Sequence, residues 1–137
     1  MGLSYSFKEG EAYAWIVKLD SNANIIWQLL IGGEAFDSCN FIIQSTNGSY
    51  IIAGATWSFG AGSSDYLVSE ISSNGTVVWT KAYGGNGYDF AHSIKQTNDG
   101  VYITIGRSWS FNSSDGDIWV VKLTSQGNIQ WQKKIWR

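Results

Sequence analysis

Asp117 to Trp131 reads DIWVVKLTSQGNIQW: an apolar run, a short polar turn through Gly127, and a second run that closes on a tryptophan. Tyr13 to Trp27 (YAWIVKLDSNANIIW) and Asp65 to Trp79 (DYLVSEISSNGTVVW) repeat it, so the closing tryptophans stand at 27, 79 and 131, each 52 residues after the last. A fixed period of roughly 50 residues is the signature of a repeat array.

The register extends outward from these stretches over nearly the whole chain. Gly2, Gly54 and Gly106 open three rows, followed by Ser4-Tyr5-Ser6-Phe7, Thr56-Trp57-Ser58-Phe59 and Ser108-Trp109-Ser110-Phe111. Each row then enters its apolar run, turns (SNAN, SNGT, SQGN) and returns to its tryptophan. Gly32-Gly33 and Gly84-Gly85 follow, then Asp37 and Asp89, which lead into FIIQSTNGSYIIAG and SIKQTNDGVYITIG. Asn-Gly between apolar runs is a strong hairpin signal, because both residues tolerate the positive φ of a type I′ turn. One period therefore predicts four strands, a to d, and the chain predicts ten. The a–b and c–d connections are tight, whereas b–c and d–a are long and rich in Gly, Ser and aromatics. Successive antiparallel turns alternate ends, so both long connections share one edge, the expected functional edge, and the tight hairpins share a plain one.

Composition agrees with an all-β chain. Eight Trp, seven Tyr, six Phe and sixteen Gly, with no Pro, describe short strands packed through aromatics and separated by glycine turns. A net charge of −2 supplies no basic excess for nucleic acid or an anionic membrane, and neither partner is expected. No apolar run has the length of a bilayer span, and MGLSYSFKEG lacks the basic and apolar regions of a signal peptide. One cysteine, Cys39, makes no internal disulfide, and with His92 as the only histidine no thiol or imidazole metal cluster can be built. No cofactor is expected.

Four short antiparallel strands per period make a β-propeller blade. The succession of strand c, a Ser-rich Gly turn, Trp, Gly-Gly, Asp and a Gln-Thr-x-Asp-Gly-x-Tyr-Ile strand resembles the SBBP-type β-propeller repeats. The Gly-x-x-x-Trp end of strand d is more loosely similar to tryptophan-docked, pyrroloquinoline-quinone-like propeller repeats. The first resemblance implies a propeller and an extracellular or cell-surface setting. The second would permit an enzyme or cofactor-binding propeller with its site at the centre of an assembled ring.

The expectation is thus one repeat region over residues 1–137, an incomplete ring of a half blade (about 2–33) and two full blades (about 34–85 and 86–137). A β-trefoil is the lesser alternative, since its units are usually shorter. The c strand from Trp15 to Leu19 lacks its b partner and offers an edge for self-association. The function expected is a non-enzymatic binding or scaffolding module for protein or carbohydrate, with Tyr5, Phe7, Trp57, Phe59, Trp109 and Phe111 as candidate ligand-binding rings. Trp27, Trp79 and Trp131 read as structural core wedges between blades, and Asp37 and Asp89 as turn residues capping amides beside Gly-Gly. Asn112 to Asp117 has oxygen ligands in the manner of a calcium loop, yet the other rows do not keep them. Asp89 and His92 are three apart, which places them on opposite faces of a strand and argues against a triad.

Overall fold

The computed structural model describes residues 2–4 and 12–136, and every regular element among them is a β-strand. These are β1 (Gly2–Ser4), β2 (Tyr13–Leu19), β3 (Ile25–Ile31), β4 (Asp37–Gln44), β5 (Tyr50–Thr56), β6 (Asp65–Ile71), β7 (Val77–Tyr83), β8 (Asp89–Gln96), β9 (Tyr102–Ser108), β10 (Asp117–Leu123) and β11 (Ile129–Ile135). They form three antiparallel sheets: I (β1-β2-β3), II (β4-β5-β6-β7) and III (β8-β9-β10-β11). The ten strands that periodicity predicts are β2 to β11.

β1 corrects one expectation. It pairs Gly2 with Trp15, Leu3 with Ala14 and Ser4 with Tyr13, so the edge expected to run open from Trp15 to Leu19 is covered at Trp15. The reason lies in the repeat. Gly2 occupies the row position of Gly54 and Gly106, which face Leu67 and Trp119 across their own sheets.

The hairpin turns differ from the type I′ expectation. Gly48, Gly75, Gly100 and Gly127 have φ of +87°, +88°, +80° and +81°, while the asparagines before Gly48 and Gly75 keep negative φ. Gly48 N–H donates to Ser45 O and Ser45 N–H to Ser49 O, and the other turns repeat the pattern. Each is a type I turn followed by one left-handed residue, which needs only the glycine. Ala23 holds that place in the first row, at φ 64°.

The sheets stack face to face. Ala14, Ile16 and Ile31 of sheet I meet Cys39, Ile52, Leu67 and Ile71 of sheet II. The opposite face of sheet II, with Ile51, Ala53, Tyr66, Val68 and Tyr83, meets Ala91, Ile94, Tyr102, Trp119, Val121 and Leu123 of sheet III. Sheet II is covered on both sides, so all seven residues of β6 are buried and its sequence shows no polar alternation. Every sheet uses corresponding faces, so the stack runs head to tail. β8 lies against β4, β5 and β6, making the a and b strands the region of closest approach.

Candidate functional site

The edge with the long connections is built on a repeated serine–aspartate pair. Ser58 Oγ donates to Asp37 Oδ2 at 2.6 Å and accepts from the N–H groups of Gly33 and Ala35, both at 3.1 Å. Asp37 Oδ2 also accepts from Gly33 N–H at 3.0 Å. One period later Ser110 bonds Asp89 at 2.6 Å, with Gly85 and Gly87 in the amide positions. The serine of each aromatic Trp-Ser-Phe motif thus ties its own loop to the preceding d–a connection. Ala12 pairs with Phe36 and Ser64 with Tyr88 in isolated parallel bridges, which join one sheet to the next beside this pair.

Asp37, Asp65, Asp89 and Asp117 head their strands at this edge and are buried. Each leaves one carboxylate oxygen without a hydrogen-bond partner. A Cβ at Gly84 would lie 2.0 Å from Asp65 Oδ1 and 2.5 Å from Asp89 Oδ2, so two carboxylates crowd one glycine. Burial raises the Asp65 pKa, and the negative charge of Asp89 adds to the effect. In the first row Tyr13 replaces this aspartate beside Gly32 and Asp37. Among the described residues no three of His, Cys, Asp and Glu are grouped to hold a metal ion.

Aromatic rings continue along the same edge. Phe36 meets Trp57 with centroids 5.1 Å apart, Trp57 meets Phe90 at 5.5 Å, and Phe90 meets Trp109 at 6.0 Å. Tyr88 stacks on Phe90 at 6.4 Å and is 50% exposed. The Arg107 guanidinium sits 4.9 Å from the Trp109 ring centre, and its N–H donates to Asp115 O. Of the candidate rings, Trp57 and Trp109 lie in this row. Phe111 turns inward onto Trp119 at 5.4 Å, whereas Phe59 is 42% exposed and lines a cavity of about 210 Å³ with Thr80, Lys81 and Ala82. Tyr5 and Phe7 lie outside the described residues.

No protein-family model matches the chain, and no curated protein matches it. Its chemistry is therefore read from the geometry alone.

The hairpin edge is not plain. A cavity of about 410 Å³ opens there between sheets II and III, lined by Glu70, Trp79, Gln96 and Tyr102 together with turn residues such as Asn47 and Gln126. Trp79 Nε1–H donates to Glu70 Oε2 at 2.7 Å, which orients both side chains. These residues come from four strands and three turns of two sheets, and no contiguous stretch of sequence announces them.

The periodic tryptophans dock on the turn glycines of the following sheet. A Cβ at Gly75 would stand 2.8 Å from the Trp27 ring, and one at Gly127 2.8 Å from Trp79. Trp27 Nε1–H donates to Ser73 O at 3.1 Å. Both are half-buried at the rim of a seam rather than sealed in the core, and Trp131 is 45% exposed, with no further sheet among the described residues to cover it.

His92 occupies the β-bulge of β8 and is exposed, while Asp89 is buried and engaged by Gly85 and Ser110. In the segment Asn112 to Asp117, Asp115 is exposed and Asp117 is buried at the head of β10 opposite Ser108.

Proposed function

We propose that this chain is a segment of a β-propeller of SBBP type, acting as a non-enzymatic binding or scaffolding module with a protein or glycan ligand at its long-connection edge. The observation that carries the reading is the row Phe36, Trp57, Phe90 and Trp109, four rings in continuous contact across sheets II and III. Rigid aromatic rows present wide apolar area at small entropic cost, which suits sugar rings and extended peptides. Sheets that converge at their a and b strands support the propeller part of the reading, because blades radiate from an axis. The test is titration of oligosaccharides and short peptides followed by tryptophan fluorescence. A ligand whose signal disappears in Tyr88→Ala and Trp57→Ala supports the reading. A ligand unaffected by both variants removes the loop edge from consideration.

The cavity at the hairpin edge favours a second placement of the same activity. Trp79 and Tyr102 supply apolar walls, and Glu70, Gln96 and Asn47 supply polar groups, a combination suited to a small polyol. Binding lost in Gln96→Ala but kept in Trp57→Ala selects this site over the loop edge.

A further inference from the structure

We propose that the two outer faces of the stack bind one another between copies of this chain, with sheet III of one copy lying head to tail on sheet I of the next. The contact is separate from ligand binding at the loop edge and does not depend on it.

The internal seams show which faces belong together. In each seam the face carrying Ala14 and Ile16, or Tyr66 and Val68, meets the opposite kind of face on the following sheet. A head-to-tail stack built this way has two different ends. The free end of sheet III is of the first kind, with Ile118 and Val120 in the row positions of Tyr66 and Val68. The free end of sheet I is of the second kind.

On its c and d strands sheet I repeats four positions of the buried face of sheet III, without counterparts of Ala91, Ile94 and Tyr102. Trp15, Val17, Leu19 and Gln28 stand where sheet III has Trp119, Val121, Leu123 and Gln132. Trp15 Nε1–H donates to Gln28 Oε1 at 3.1 Å, and Trp119 Nε1–H to Gln132 Oε1 at 3.1 Å. Their surroundings differ sharply: Leu123 is 0% exposed inside its seam, while Leu19 is 50% exposed. Opposite in kind, sheet III exposes Ile105, Ile118 and Ile135. Exposed apolar faces of this sort mark interaction surfaces.

The polar groups point to the same occupant. Across the seam between sheets II and III, Lys81 Nζ donates to Asn128 Oδ1 at 2.8 Å. Lys133 and Asn24 hold those two row positions at the free ends. Asp20, whose carboxylate accepts from Asn24, adds negative charge at the turn that Lys133 would approach.

One residue departs from the pattern. Trp131 would dock on Ala23, where the internal seams have Gly75 and Gly127. The added methyl holds the ring off, so the contact between copies is looser than the internal seams and reversible. A heterologous contact closes into a ring or grows into an open stack. Two copies bring six sheets, inside the roughly four to eight of closed propellers.

Light scattering at two concentrations tests this on the whole chain. The wild type is expected as a discrete oligomer, with Leu19→Glu and Ile118→Glu each monomeric and unchanged in far-UV circular dichroism. An equimolar mixture of these two variants recovers a larger species, because one contact of the mixed pair is wild-type on both sides. A face that pairs with itself cannot give this pattern, since one variant would then keep its contact. Lys133→Glu, at an exposed position, weakens association, and Ala23→Gly shifts it to lower concentration. A monomeric wild type, a variant that still associates fully, or a mixture that stays monomeric overturns the proposal.

Discussion

Ser110 Oγ donates to Asp89 Oδ2 at 2.6 Å, and Ser58 and Asp37 repeat the bond at the same length one period earlier. The hydroxyl also accepts from two backbone amides, so a single oxygen closes three polar groups at the seam between sheets. Ser110→Ala strips all three of a partner. Unmet buried polar groups cost about 1–3 kcal/mol each where water cannot reach them, and Asp89 retains Gly85 N–H, so a loss of about 2 kcal/mol is expected. Urea unfolding of Ser110→Ala measures it. A loss below about 0.5 kcal/mol would show that water replaces the hydroxyl.

Gly127 and Gly100 form a matched pair of turn glycines. Their φ values are +81° and +80°, yet a Cβ at Gly127 would meet Trp79 at 2.8 Å and one at Gly100 would meet nothing within 4 Å. Left-handed strain of about 1 kcal/mol is common to both alanine variants. Ala23 shows that this turn accepts alanine. Gly127→Ala is expected to destabilise more than Gly100→Ala by about 1–2 kcal/mol through displacement of the ring. Equal melting temperatures for the two variants would show that Trp79 moves aside freely.

Asp65 gives a pH signature. Its folded-state pKa is raised above 3.8, first by burial and then by the charge of Asp89. An acid with a raised folded pKa favours folding in its protonated form. Its contribution to stability therefore declines as pH rises from 3.8 through the raised value. Asp20 and Asp99 have lowered pKa values and act in the opposite sense. Asp65→Asn keeps an acceptor for Gly62 N–H and removes the charge. The stability of this variant relative to wild type should grow as pH rises through that interval, as read from paired urea titrations. A difference constant with pH would mean that Asp65 does not titrate there.

Cys39 is buried against sheet I, and burial pushes its thiol pKa up to about 12. Only the thiolate is a nucleophile, so the native chain should react with a disulfide reagent orders of magnitude more slowly than the unfolded chain. The reaction rate followed against urea should rise with the unfolding transition. Fast labelling without denaturant would mean that sheets I and II separate.

The strands were legible because the period repeats their boundaries: a turn glycine and a closing tryptophan mark each c–d hairpin in rows two and three, and Ala23 departs without disturbing the strands. Asp37 and Asp89 stood out by position. Asp65 and Asp117 are equally buried, yet in the sequence they stand only as the first residues of their repeat stretches, because a carboxylate at a strand start gives no sign of what will cover it. Phe59 and Phe111 share a motif, yet one is exposed and the other packed. The difference comes from the partner: Phe111 packs on the broad ring of Trp119, and Leu67 holds that position in the row of Phe59.

By itself the sequence determined the ten strands β2 to β11, their order within each sheet, the hairpin positions and the existence of two unlike edges, since all of these follow from local turn chemistry and a period of 52 residues. Only the tertiary structure decided how the sheets face one another. Stacking brings together residues from about half a period to a full period apart: Asp65 with Asp89, Trp79 with Gly127, and the turns around the hairpin-edge cavity. Such pairings depend on sheet twist and face-to-face packing, which no residue encodes alone. They also set which face of each outer sheet stays uncovered among the described residues, a property of the assembled array rather than of any one repeat.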